Sequence, residues 1–527
     1  MLLAKVPKSN ERTVRTKSVQ LTISEPHFAQ MGDARLSPPY LCSTTHSPAD
    51  CSLLTEIMHT PPFISKNLPI VGHTLEFAKD HVSLMKRAYE EKGSVFSFSL
   101  AGRNAVGLIG PEYHKAFFDA TDKQLSIEKA YSFMEHITGK VAFLASYETY
   151  LNQRPILYEP FKYRKSLKYV PIMQRVVSEC LDKLGDSGEI ELTDYAIYLT
   201  RQVAGHTFMG EAFQAQMGDE FWALYDDISG AIDLVLPQTL PLPKFKRRDK
   251  ARAKAKEMLK PVIAERRANP EKYDDFMQEF IQTPLADGTY LDDDTLLNFI
   301  ITFMFASHDT TSGHAAWNII QLLQNPEYLK EVEKELAEKF PQGTQLELTN
   351  IAMLEHVYWA IEETARMVPT ADVLMRFVEE DWEVGGYTIP KGWLAFVCGK
   401  VAHFLPELHE NPEKYDPYRF SPEREEHKTC AYQQIGFGGG THKCAGISFA
   451  KNEMAVMLAL LFRDFEVELI TKNPVVVRSK GTPRPSDTFI KYKRKPILPQ
   501  TPKAFENQAH IEYAAAMGCP HAQKMKA

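Results

Sequence analysis

The chain has 527 residues, 44% of them hydrophobic and 24% charged, with a formal net charge of −7 at pH 7. That length can bury a large core, and the excess of acid disfavours general nucleic-acid binding. Seven cysteines without regular spacing argue against a disulfide framework and read as a reducing compartment.

Residues 1–58 are broken by charges and prolines and are expected to form a disordered tail. Lys5, Lys8, Arg12, Arg15 and Lys17 lie among serines and threonines as in a transit peptide, but Glu11 and the lack of an amphipathic run weaken that reading. No apolar stretch there reaches the roughly 20 residues needed to cross a bilayer. A cytoplasmic protein without a transmembrane segment is expected.

The organised region, 59–495, opens on the turn-forming Asn67-Leu68-Pro69-Ile70-Val71-Gly72 and a helix over Leu75 to Lys92. Ser94 to Ile109 alternates as a strand pair, with Ala101 to Asn104 as its turn. Helical patterns dominate from Glu112 to Lys339. The apolar, proline-broken stretch Ile232 to Pro243 suits either peripheral membrane contact or core packing, and the basic run Lys244 to Lys256 reads as a solvated helix face. Asp292, Asp293 and Asp294 then signal the start of a helix that is apolar on nearly every side, so it should cross the core. Asp309 and Thr310 in its middle need a reason. Either Thr310 back-bonds to a carbonyl and Asp309 is paired elsewhere, or the two serve chemistry.

Leu354 to Met367 has helical periodicity and places Glu363 and Arg366 three residues apart, a spacing that on its own usually marks a solvated face. A second strand region, Val373 to Trp393, turns at Gly385-Gly386. Near the end comes Phe437-Gly-Gly-Gly-Thr-His-Lys-Cys444-Ala-Gly446, a cysteine in a glycine-rich turn before a helical run. The glycines allow backbone conformations that point amide N–H groups at a sulfur anion, and such a thiolate can ligate iron. The plain alternative is an ordinary buried thiol. With no C-x-x-C pair in the chain, a zinc knuckle is disfavoured. Residues 496–527 read as a polar tail.

The pattern F-x-x-G-x-x-x-C-x-G, preceded in order by Glu363-x-x-Arg366 and by Tyr415-Asp-Pro-Tyr-Arg419-Phe, resembles the cytochrome P450 superfamily. The resemblance implies a mainly α fold with a minor β portion, in which a long central I helix and the L helix enclose haem b. It also implies Cys444 as the iron ligand, with Phe437 and Gly438 beside it, and a buried Glu363, Arg366, Arg419 network below. The I-helix pair Asp309 and Thr310 would deliver protons at a local opening of the helix. A chain of this length leaves no room for a fused reductase, so electrons are expected from a separate ferredoxin or flavoprotein.

Within the superfamily the chain is most similar to sterol 14α-demethylases, from about Leu68 to Lys495. Ala130-Tyr-Ser-Phe-Met134, Met304 to Trp317 and Leu374-Met-Arg376 carry that likeness. It implies Tyr131, Arg376 and His442 at the haem propionates and Phe133, Met134, Ala306, Asp372 and Leu374 around the substrate, with Arg154 as a further basic candidate. Departures lie at Thr138, where an aromatic wall is usual, at Ser307, where glycine is common, and at Asp309, which replaces a histidine. Asp372 stands in place of an aliphatic residue and either binds a polar substrate group or turns to solvent. The expected activity is a haem-thiolate monooxygenase hydroxylating or demethylating a bulky lipophile, plausibly a sterol or triterpenoid. Two other classes remain: an isomerase or dehydratase of the same fold that needs no external electrons, and a non-catalytic haem-binding sensor.

Overall fold

The computed structural model describes residues 59–233, 236–346, 350–479 and 482–496. The two expected tails therefore lie outside the described residues, save Pro496.

Most of the described chain is helical, and the helical core is one cluster of buried side chains drawn mainly from the helices between Tyr147 and Asp464. The central helix starts as its acidic residues predict: Asp292 caps it, accepting from the Asp294 and Thr295 amides at 2.9 Å each. It runs as Asp293–Met304, widens into one π-helical turn over Phe305–Asp309, and continues as Thr310–Gln324. Such a single wide turn is how a helix accommodates a local functional distortion. The helix Ile447–Asp464 packs against the second half of the central helix, where Asn318 Nδ2 donates to Met454 Sδ at 3.7 Å. Gly440–Asp464 is long and apolar enough to span a membrane, but 67% of its apolar 18-residue window is buried, as expected of a core helix.

The minor β portion is led by a five-stranded sheet in the order Val95–Leu100, Arg103–Leu108, Leu394–Cys398, Val373–Val378, Leu125–Ser126. Alternate residues serve its two faces. Val95, Val106 and Val397 enter one apolar cluster, and Phe96, Phe98, Ala105 and Phe396 enter the other, the period of two that a sheet covered on both sides requires. The first turn is tighter than the sequence suggests, because Ala101 and Gly102 alone occupy it, both at positive φ. Leu394–Cys398 was not anticipated as a strand. Buried on both faces, it reads as a continuous apolar run without alternation.

Two segments divide between core and surface. In Ile232 to Pro243, Leu236 and Leu240 are exposed while Ile232 and Leu242 pack on the helical core. The basic run lies on the helix Pro243–Ala268 and is largely solvated, except that Arg248 is buried and donates to the Gln238 side chain at 2.8 Å.

A buried charge network fixes the loops before the cysteine. Arg366 donates from Nε and Nη2 to the two Glu363 oxygens at 2.7 and 2.8 Å, and Arg419 Nε reaches Glu363 at 3.4 Å, with all three side chains fully buried. The remaining donors are spent on the chain that follows: Arg366 on the His403 and Pro412 carbonyls, and Arg419 on Asn411 and Glu426. Burial holds His403 down to about 3, so its neutral ring can bond the Arg366 carbonyl through Nδ1 and accept from the Ile435 amide through Nε2, at 3.0 Å each. Ile435 is two residues before Phe437. The expected Glu363, Arg366, Arg419 network thus exists and is tied to the cysteine loop through one histidine. Since removing one member of a buried pair strands a charge, Glu363→Ala should cost about 3–5 kcal/mol of unfolding free energy in urea titration. A loss below about 1 kcal/mol would show that the charges are balanced elsewhere.

Candidate active site

The loop that presents Cys444 has almost no regular structure and is held by contacts from four directions. Gly438 and Gly440 sit at φ of 71° and 62°, conformations that a side chain disfavours. A Cβ on Gly439 would lie 2.8 Å from the Phe118 ring and 2.9 Å from Tyr432. The Cys444 amide donates to the Phe437 carbonyl at 3.0 Å, and the Phe437 ring is flanked by His314 and by the Lys451 ammonium, 5.4 Å from its centre.

From the other side, Tyr150 and Tyr158 on the helix Tyr147–Tyr158 donate to the Thr441 carbonyl at 2.8 and 2.9 Å, and Tyr158 also reaches the Lys443 carbonyl at 3.1 Å. These two loop-holding tyrosines were missed in the sequence. Their spacing with Arg154, at i, i+4 and i+8 on one helix face, was the available signal. Arg154 itself is exposed and lies over the Tyr158 ring.

Cys444 is exposed although its surroundings are deep in the molecule. Those dry surroundings push its thiol up, against the pull of the Gly446 amide and of Lys451 and Lys443. A metal cation would reverse that balance, since it favours the anionic sulfur directly.

Between Phe299 and Ile320 on the central helix, Phe305, Ala306, Ser307 and Thr310 form an accessible strip among buried residues, so this strip fronts a cleft. The Thr310 hydroxyl donates to the Ala306 carbonyl at 2.6 Å, within the π turn, and Ser307 bonds weakly back to Met304. Replacing the usual glycine by Ser307 has not closed the wide turn. Phe133 and Leu374 are half-buried and Met134 is buried.

Tyr131 and Arg376 come together. The Met375 amide donates to the Tyr131 hydroxyl at 3.2 Å, and Arg376 leaves the same strand, only 3% exposed. Its guanidinium donates to Thr121 Oγ1 at 3.2 Å and to the Met375 carbonyl at 2.8 Å, and it lies over the Phe117 ring. It forms no carboxylate ion pair among the described residues, and desolvation draws its pKa down. A buried cation without an anion is costly and marks a place built for an acidic ligand.

Thr138, Asp372 and His442 each have partners within the protein, and Asp372 departs from both of its expected alternatives. Thr138 stands where an aromatic wall is usual. It is fully buried and bonds back to the Met134 and Gly139 carbonyls. Asp372 neither turns to solvent nor offers free oxygens to a ligand: it is 6% exposed, accepts from His81 at 3.0 Å and takes Arg478 at 3.0 and 2.7 Å. Burial raises its pKa, yet those two partners outweigh it and hold the carboxyl below its ordinary range. His442 bonds Asp122 at 2.7 Å and packs on Tyr150.

The sequence model of the cytochrome P450 family matches residues 61–489. The chain belongs to the cytochrome P450 family. Among curated relatives it is 30% identical over 456 residues to the sterol 14-demethylase of Arabidopsis thaliana, covering 83% of this chain and 92% of that one. It is 29% identical over 452 residues to the human lanosterol 14-alpha demethylase, covering 83% and 87%. Among solved structures it resembles the retinoic acid-bound cyanobacterial CYP120A1, with a TM-score of 0.74 and 25% identity, over 83% of this chain and all of that one. It is therefore a P450 monooxygenase, an oxidoreductase that carries haem iron on an axial cysteine thiolate.

The residues present fit that group. Cys444 would supply sulfur on a loop whose Gly446 amide faces it, and Arg376 beside Tyr131, with no carboxylate ion pair among the described residues, would supply the counter-charge that haem carboxylates need. Arg376→Met should speed haem transfer from this P450 to apomyoglobin at least tenfold, roughly the loss of one charge-assisted hydrogen bond. An unchanged transfer rate would assign the buried guanidinium to folding alone.

Proposed function

We infer that this P450 inserts oxygen into a C–H bond of a bulky, lipophilic molecule of the sterol or triterpenoid class, taking electrons from a separate ferredoxin or flavoprotein. The observation that carries the reading is that the acids expected at the cleft are committed to other partners. Asp309 and Asp372, the two acids expected there, are both engaged by arginines, which leaves Phe133, Ala306, Leu374, Ser307 and Thr310 to meet the substrate. Such a wall suits an apolar skeleton with few hydroxyls. The similarity to sterol and lanosterol 14-demethylases supports the same class.

When bound, a thiolate-ligated haem reduces dioxygen and favours cleavage of its O–O bond. Cys444 would hold the iron from the loop side, with Phe437 and Gly438 shaping the turn around the sulfur. Tyr131 and Arg376 would hold the acidic edge of the porphyrin, and His442 would brace it through Asp122. On the other side, Thr310 holds its proton toward the Ala306 carbonyl and keeps its lone pairs for an incoming water. The π turn leaves room for that exchange, because its carbonyls are not all taken by the helix ladder. Phe133, Met134, Ala306 and Leu374 would orient the substrate and exclude water. The acid beside Thr310 has other partners, so the hydroxyl and ordered water would carry the proton. A protein that is soluble or touches membranes peripherally, through Leu236 and Leu240, agrees with such a substrate.

Thr310→Ala should lower product formation about 10²-fold, with the consumed oxygen recovered as hydrogen peroxide and with azole binding unchanged. A spectral screen of sterols, triterpenes and fatty acids tests the substrate class. Sterols are expected to displace iron-bound water, and lanosterol-type sterols with a reductase to release formate. Spectral shifts with fatty acids alone would contradict the reading.

A further inference from the structure

One short ribbon of chain, Val476–Ser479 paired with Thr482–Pro485, carries two arginines, and each ends on a buried carboxylate beside the cleft. Arg484 Nη2 donates to Asp309 Oδ1 at 2.7 Å and approaches the Asp309 carbonyl at 3.4 Å. The second Asp309 oxygen accepts the hydroxyl of Tyr225, from the helix Glu211–Ser229. Arg478, on the other strand, takes Asp372 with both Nε and Nη2, and its Nη1 lies 3.7 Å from Asp80. Asp309 is next to Thr310, and Asp372 is two residues before Leu374.

The contact with the central helix is sterically prepared. A Cβ on Gly313 would lie 2.7 Å from the Pro483 carbonyl oxygen and 3.2 Å from Arg484 Cγ, so the glycine is what lets the ribbon reach the helix. Arg484 then meets the carbonyl that ends the π turn as well as the acid itself. Asp309 is 1% exposed, facing away from the accessible strip on which Thr310 lies. A buried carboxylate that receives a guanidinium and a phenol has both of its oxygens engaged in strong hydrogen bonds. Burial, together with the Asp309 charge, pushes the Tyr225 phenol well above its ordinary range and keeps it a donor. An acid held in this way is poorly suited to giving up and regaining a proton in every turnover.

We propose that Asp309 is a positioning residue rather than a proton donor: with Arg484 and Tyr225 it fastens the ribbon and the helix Glu211–Ser229 to the bulged helix, and this fastening sets which bulky ligands the cleft accepts. The Arg478–Asp372–His81 cluster is the second fastener of the same ribbon. The inference rests on the monooxygenase assignment but on no particular substrate, and its readouts are chosen accordingly.

The test uses the full-length holoenzyme and compares Asp309→Asn, Arg484→Gln and the double variant, each checked for the carbon monoxide spectrum of a thiolate-ligated haem. Amide hydrogen exchange in Val476–Arg478 and Thr482–Arg484 should rise at least tenfold in each single variant. Clotrimazole should bind at least tenfold more weakly while imidazole binds as before. The double variant should be no worse than the weaker single one, because both remove the same link. Arg484→Lys should restore part of the exchange protection. Should Asp309→Asn not retain its haem, Arg484→Lys and Tyr225→Phe ask the same question with smaller changes. Unchanged ribbon exchange in Asp309→Asn, accompanied by a solvent isotope effect on reductase-driven oxygen consumption that the parent enzyme lacks, would overturn the proposal and return Asp309 to proton delivery. A sterol screen that fails leaves these readouts intact, so the two readings fail separately.

Discussion

Presenting one cysteine sulfur at a fixed place, from a loop with no ladder of backbone hydrogen bonds, is the constraint on which the rest of this molecule depends. The loop is short of its own structure and borrows rigidity from neighbours. Glu363 orients Arg366, the Arg366 carbonyl orients His403, and His403 receives the Ile435 amide. Tyr150 and Tyr158 grip the loop's carbonyls from the opposite side. Each link is buried or half-buried, where a hydrogen bond is hard to replace with water and a broken one is costly. The charge network is thus better understood as a positioning frame than as a source of stability, since burying three charges gains little net free energy by itself.

The second constraint is the central helix, which must be both a core element and a reactive wall. It meets the first demand with an apolar surface on nearly every side and the second with one wide turn. At that turn the polar side chains divide. Thr310 stays on the accessible strip, and Asp309 turns into a buried contact with the Val476–Pro485 ribbon and with Tyr225. Gly313 makes the division possible by admitting the ribbon one turn further on. Two neighbouring residues of one motif therefore answer to different parts of the fold.

Much of this was legible in the sequence where a motif carries its own geometry. The glycine loop, the Asp292 cap and the Glu363, Arg366, Arg419 set each dictate a local arrangement, and the arrangements are present. Strand Leu394–Cys398 was hidden because burial on both faces removes the alternation that reveals a strand. The partners of Asp309, Asp372 and His442 were hidden for a different reason. Arg484, Arg478 and Asp122 lie 175, 106 and 320 residues away in sequence, and no local pattern announces a pairing across such distances. Asp372 is the instructive instance. A lone acid at a pocket position suggested a substrate contact or exposure, and only the fold brings His81 and Arg478 to it. Thr138 teaches the same on a smaller scale, since a β-branched hydroxyl residue where an aromatic was expected simply bonds its own helix turn.

The chemistry of this site depends on an anionic sulfur from Cys444 reaching the iron of the bound porphyrin. The most direct measurement is the carbon monoxide difference spectrum of the dithionite-reduced protein, parent beside Cys444→Ser. The parent should show the strongly red-shifted Soret band of a thiolate ligand, and the serine variant should lose it together with turnover. A serine variant that keeps both would contradict the assignment.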